Sequence, residues 1–228
     1  MSSEMNWIGR NGVLNWLARV RIAGVEPMSH GVGISERRIR LHAKTLERER
    51  LLVRSRIGDG GGALVAITPR GLRQAGYAAN SRSATSSLTG LLHGRGVSWI
   101  AAHCERRGRS WLGLGELRAQ GWPLKLRQSA GERPRTHMPD LGFILDGSER
   151  WAAEFERVPK SRDRLRGILA AYRTAELAGE LESVLYVCAD QSIVRLVQSV
   201  AAEVKLDRAV RTLDWLIQET RSRGNSQT

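Results

Sequence analysis

The spacing of apolar positions changes period several times along the chain. Val13, Leu14, Leu17 and Val20 recur at helical spacing. Gly31-Val32-Gly33 breaks the chain, and Ser35 is suited to cap the next helix. In that helix Ile39, Ala43 and Leu46 form a stripe at i, i+4 and i+7. Arg37, Arg38, Arg40, Lys44 and Arg48 occupy its other faces. Residues 51–57 and 63–68 then read as two strands around Gly58-Asp59-Gly60-Gly61-Gly62. Thr68-Pro69 starts a short helix, with Thr as N-cap and Pro at the first helical position.

Helix, basic helix and Gly-tipped hairpin form the sequence order of a winged helix-turn-helix, expected over residues 1–80. Residues 81–87 are small and polar, an expected linker. A second domain is expected over 88–218, and a disordered tail over 219–228. The second stretch opens with a helix over 88–106 and a short helical piece over 111–119. Residues 122–135 are mixed and basic and read as loop. Ser161 caps a helix whose apolar stripe is Leu165, Ile168, Leu169 and Tyr172. Residues 183–189 read as a buried strand, 193–204 as a helix, 209–213 as a last strand and 215–220 as a closing helix.

Between the loop and the Ser161 helix lies a hairpin. Leu141, Phe143 and Leu145 alternate with Asp140, Gly142, Ile144 and Asp146, and Gly147-Ser148-Glu149 reads as the turn. The return strand carries Trp151, Ala153 and Phe155 on one face and Ala152, Glu154 and Glu156 on the other. A turn centred on Gly147 places Asp140 opposite Glu154; one centred on Ser148 places it opposite Glu156. Either register gathers three carboxylates on one face. Facing like charges destabilise a sheet, so the cluster needs a cation, a proton or a basic partner. Mg²⁺ or Mn²⁺ suits carboxylate oxygen. The alternative is a solvated face neutralised by Arg157, Lys160 and Arg162.

Charge supplies a partner for such chemistry. The 228 residues include 36 Lys+Arg against 23 Asp+Glu, a formal charge of +13. Residues 1–82 hold 14 basic and 6 acidic side chains, so they carry +8 of it. That bias favours a polyanion, and double-stranded DNA is the expected partner of the basic helix. Arg37, Arg38, Arg40, Lys44 and Arg48, with Arg54 and Arg56 on the first hairpin strand, are the expected contacts. The alternative is a winged helix used for protein contact. Only four of the basic residues are lysines, so part of the bias is arginine usage.

Other chemistries lack their residues. The Gly-rich tip has no Gly-Lys-Ser/Thr ending, and there is no Gly-x-Ser-x-Gly elbow or Cys-x-x-Cys pair. The five histidines (30, 42, 93, 103, 137) include no His-hydrophobe-His pair. Cys104 and Cys188 read as reduced buried thiols, with His103–Cys104 a structural helix-face pair. No apolar run approaches 18 residues and no signal segment is evident, so a cytoplasmic protein without membrane contact is expected.

Several stretches taken in order resemble one family. Pro139-Asp140, Glu154 and a downstream Lys resemble the PD-(D/E)xK nuclease superfamily. Across residues 10–216 the chain is similar to the replication-relaxation family of plasmid and conjugative-element proteins, which includes mobilisation-protein C-like relaxases. The matching stretches are Leu46 to Gly71, His93, Glu116-Leu117-Arg118, His137-Met138-Pro139-Asp140, Glu154-Phe155-Glu156, Lys160 to Leu165 with Tyr172, and Leu185-Tyr186-Val187. The resemblance implies an α+β protein, a winged helix followed by an α/β/α nuclease-like domain. It implies Asp140 and Glu154 as ligands of Mg²⁺ or Mn²⁺, with Glu116 completing the site. The catalytic set would be Asp140, Glu154, Glu156 and Lys160. The family lysine belongs two residues after the second acidic ligand, where this chain has Glu156. Lys160 could replace it from the start of the next helix, or contact the DNA backbone. His137 could be a base or a packing residue, and Tyr172 fits the core. Two activities stay open: metal-dependent nicking or cleavage of DNA, and a nuclease-inactive regulator, antitoxin-like protein or mobilisation accessory, with the second domain free to serve a homodimer.

Overall fold

The computed structural model describes residues 9–56, 63–78, 87–122, 124–126, 135–145, 148–207 and 210–214. The chain is a mixed α+β protein with two compact units, Met1–Glu116 and Leu117–Thr228.

The first unit begins with α1 (Arg10–Val20), β1 (Ile22–Gly24), α2 (Val25–Val32) and α3 (Glu36–Arg48). It continues with β2 (Leu52–Arg56), β3 (Ala63–Ile67) and α4 (Pro69–Gln74). The strands form an antiparallel sheet in the order β1-β3-β2, with Ile22 opposite Ala66 and Arg54 opposite Val65. Ser35 accepts a hydrogen bond from the Arg38 N–H and Thr68 from the Gly71 N–H, so both expected caps form. Trp16, Leu17, Ile39 and Leu46 are fully buried where the helices meet. A Cβ at Gly31 would lie 2.5 Å from the Trp16 ring, so only glycine lets α2 approach α1 this closely.

β1 and α2 were not legible in the pattern. Three residues are too few to show alternation, and Pro27 interrupts the α2 sequence. It is tolerated because it lies in the first helical turn, where its missing N–H would have no intrahelical partner.

Residues 81–86 of the expected linker and the Gly-rich hairpin tip fall outside the described residues. Ser87 caps α5 (Leu88–Arg106) by accepting from the Gly90 N–H. α5 was expected to open the second domain, but it packs on α2 and β1 in the first unit. Leu91 joins Ile22, Leu64 and Ala66 in one buried cluster, so the helix covers a sheet face that would otherwise be wet. The expected helical piece over 111–119 divides into β4 (Trp111–Leu112) and α6 (Leu114–Ala119). Gly113 separates them; a Cβ there would meet the Arg19 carbonyl oxygen at 2.5 Å.

The second unit contains β5 (Leu124–Lys125) and β6 (Thr136–His137), a short antiparallel pair whose first strand lies within the stretch expected to be loop. Then follow β7 (Leu141–Leu145), β8 (Glu149–Glu156), α7 (Arg162–Leu177), β9 (Ser183–Cys188), α8 (Gln191–Glu203) and β10 (Val210–Asp214). Within this unit the strand order is β10-β9-β8-β7. β7 and β8 form the expected hairpin; β8, β9 and β10 are parallel. α7 and α8 are therefore crossovers between parallel strands. The expected closing helix and tail lie outside the described residues. Among the described residues no helix is long and apolar enough to cross a membrane.

Candidate functional site

The hairpin register decides how the carboxylates meet. Leu141 pairs with Ala153 and Leu145 with Glu149, the first of the two expected registers. The Asp140 N–H donates to the Ala153 carbonyl at 3.1 Å, one residue out of that register, so the regular ladder ends at Leu141. Asp140 lies just beyond the paired residues, its Oδ2 accepts from the Phe155 N–H at 2.8 Å, and its carboxylate acts with that of Glu154 on Lys160 and Tyr186.

Glu154 and Glu156 are 3% and 5% exposed, which removes the solvated-face alternative. A buried carboxylate must be hydrogen-bonded or paired, and each has partners. Glu154 Oε1 lies 2.6 Å from His137 Nε2 and accepts from the Tyr172 hydroxyl. Glu156 is paired with Lys160. Arg162, an expected neutraliser of this face, instead pairs with Glu203. The strands impose the arrangement. On parallel β9, Tyr186 lies beside Glu154 and Cys188 beside Glu156, so the acidic face of β8 looks into the layer roofed by α7.

Lys160 is drawn into the same field. Burial pulls its ammonium below the ordinary lysine value, while the Glu154 and Asp140 carboxylates push it back up. The phenols of Tyr172 and Tyr186 are held well above their ordinary value, first by burial and then by Glu154. Tyr172 spends its hydroxyl on Glu154, whereas the buried Tyr186 hydroxyl has no hydrogen-bond partner among the described residues. Pattern reading placed Tyr172 in the core and gave Tyr186 no role. A tyrosine inside a buried strand carries no signal beyond hydrophobicity.

Glu116 is built into the first unit. Its carboxylate lies 2.9 Å from the Arg19 guanidinium, accepts from the Gly113 N–H at 2.6 Å and reaches the Tyr77 hydroxyl at 3.4 Å. Arg19 is 7% exposed; it also donates to the Trp111 carbonyl and lies 3.7 Å over that indole ring. Burial, with Glu116 next, pushes the Tyr77 phenol up to about 12. Arg19 was unremarkable in the sequence because its position on the α1 pattern does not announce burial. Among the described residues no group of three or more His, Cys, Asp or Glu side chains is arranged to hold a metal ion.

The α3 surface is the opposite case. Ile39, Ala43 and Leu46 face inward, while Arg37, Arg38, Arg40, Leu41, Lys44 and Arg48 are exposed. Arg40 pairs with Glu36, and Arg54 on β2 lies 3.2 Å from Glu47. Among the described residues Arg37, Arg38, Lys44 and Arg48 have no carboxylate partner. The side chain of Arg56 lies outside the described residues. Both cysteines are free and buried, and burial pushes the Cys104 thiol up to about 11. His103 contacts Arg107 and is held below its ordinary value by burial and by Arg107, Arg106 and Arg109.

No protein-family model matches this chain, and no curated protein matches it.

Proposed function

We propose that the chain is a double-stranded-DNA-binding protein of the plasmid or mobile-element replication and mobilisation type. Its first unit would act as a winged helix and its second as a nuclease-like domain. The observation that carries the reading is the outer face of α3, where four exposed cations stand without acidic partners among the described residues, opposite a fully apolar buried face. The order α1-β1-α2-α3-β2-β3 and the sheet order β1-β3-β2 support it. In that arrangement α3 enters the major groove and the β2–β3 hairpin lies near phosphate. In the second unit Glu154 and Glu156 are committed to internal partners, which favours a regulator or mobilisation accessory over a nuclease. Fluorescence anisotropy of a labelled random-sequence duplex tests the binding. Affinity should fall steeply with salt as phosphate counterions are released, and salt-insensitive binding or none would defeat the proposal.

A second reading, metal-dependent nicking, is favoured by one observation: Asp140, Glu154 and Lys160 share one electrostatic neighbourhood with the Tyr186 hydroxyl, which has no hydrogen-bond partner among the described residues. Mg²⁺ is commonly held by one or two carboxylates with water filling the remaining positions. Asp140 and Glu154 fit that donor set, and Glu116 is spent on Arg19. When bound, Mg²⁺ would polarise a phosphoryl oxygen and lower the pKa of a coordinated water. Lys160 would stabilise charge developing on the phosphate, and Tyr172 and His137 would orient Glu154. Conversion of supercoiled plasmid to nicked form in Mg²⁺, abolished by Glu154→Gln, would establish this reading. Identical background nicking by wild type and variant would remove it.

A further inference from the structure

The outer stripe of α3 contains one residue that its charge does not explain. At about 100° per residue, taking Arg37 as zero, Leu41 lies at about 40°, Lys44 at about −20° and Arg48 at about 20°. Arg38 flanks them at about 100° and Arg40 at about −60° on the same count. The buried Ile39, Ala43 and Leu46 fall near 200°, on the far side. Leu41 thus stands in the middle of the cationic face, and it is 62% exposed. The Ser35 cap and the buried stripe fix the helix, so Leu41 cannot turn inward without unpacking Ile39 and Leu46.

We propose that Leu41 is a base-reading residue that contacts the 5-methyl group of a thymine in the major groove. The inference rests on the DNA-binding reading and names a specificity determinant within it. The occupant follows from charge. A second copy of the same face would bring Arg37, Arg38, Lys44 and Arg48 against their own kind. A DNA duplex instead gives those cations phosphates on either side of the groove and offers an apolar group on its floor. In the major groove that group is the thymine methyl. Arg37, Arg38, Lys44 and Arg48 set the position of the helix, and Leu41 reads at the centre.

Replacing thymine by uracil removes that methyl and leaves every hydrogen-bonding group in place. A duplex enriched from a randomised library by the full-length protein is remade with uracil at each thymine in turn, and its affinity is measured by anisotropy. At one position, or at its symmetry mate, uracil should weaken binding about fourfold, the worth of one buried methyl. Leu41→Ala should bind the thymine and uracil duplexes equally, with the salt dependence of the wild type. Equal wild-type affinity for thymine and uracil at every position, or a Leu41→Ala protein that still discriminates, overturns the assignment of Leu41 and leaves the DNA reading standing. A Leu41→Ala change in oligomeric state on sedimentation also overturns it, making the face a self-contact. Failure to bind any duplex removes the DNA reading and this inference together.

Discussion

The α3 surface and the β8 strand each gather like charges and treat them in opposite ways. On α3, Arg37, Arg38, Lys44 and Arg48 are exposed and, among the described residues, lack acidic partners. On β8, Glu154 and Glu156 are buried and each has partners: His137 and Tyr172 for one, Lys160 for the other. Charge satisfied inside the protein is spent on folding and alignment, whereas charge left facing solvent is available to a ligand. By this criterion α3 is the surface we propose to bind a ligand, and the β8 cluster is first a buried polar network that any catalysis must work through.

The comparison is most sharply tested where breaking a partnership leaves an uncompensated buried charge. Arg19→Ala should destabilise the protein by about 3–5 kcal/mol in denaturant melts, the usual cost of breaking a buried pair. Lys160→Ala should cost somewhat less, because its side chain is 18% exposed. Replacing Glu156 and Lys160 together by Gln and Met should recover much of that loss. If either single variant is as stable as wild type, the partnerships are not holding the fold.

Tyr172→Phe removes one donor from Glu154 and should cost about 1–3 kcal/mol. The fully buried ring keeps its packing, so a loss of this size isolates the hydrogen bond.

The three tyrosines give a spectroscopic test of the same burial. Tyr77 is pushed up to about 12, and Tyr172 and Tyr186 are held well above the ordinary value, burial being the first cause in each. The folded protein should show almost no tyrosinate absorbance at pH values about one unit above the ordinary phenol value near 10, while the denatured chain titrates near that value. A raised folded pKa contributes stability that is full below the unfolded value. For Tyr77 this contribution is lost as pH rises through about 12. Stability should therefore fall with rising pH in that window. Tyrosinate appearing near pH 10 in the folded state would show that these phenols reach water.

The smallest expected stability change belongs to α3. Arg38→Ala or Arg48→Ala should shift stability by no more than about 0.5 kcal/mol, as for surface positions without partners, while weakening duplex binding.

What was legible in the sequence follows the same division. The α3 stripe, the Ser35, Thr68 and Ser161 caps and the β7–β8 hairpin are local patterns, and the structure carries them all. The hairpin count left two registers open because Gly147 and Ser148 are both turn formers; the Leu141–Ala153 pairing resolves it. The carboxylate face was visible, but its burial was not. Burial depends on α7 and β9, which lie later in the chain. The resemblance implied Glu116 as a ligand, and a carboxylate on a short helix gives no hint of a partner 97 residues earlier. α5 looked like the start of a new domain because the polar stretch before it resembles a linker, yet Leu91 belongs to the first core.

The central claim, that the unpaired cations of α3 bind duplex DNA, is tested most directly by the salt dependence of binding. The measurement compares wild type with a protein in which Arg37, Arg38, Lys44 and Arg48 are all alanine. Each phosphate contact contributes about 0.9 to the slope of log affinity against log salt. The quadruple variant should therefore bind more weakly, with a slope shallower by about three to four. An unchanged affinity and slope, in a variant that is as stable as the wild type, would contradict it.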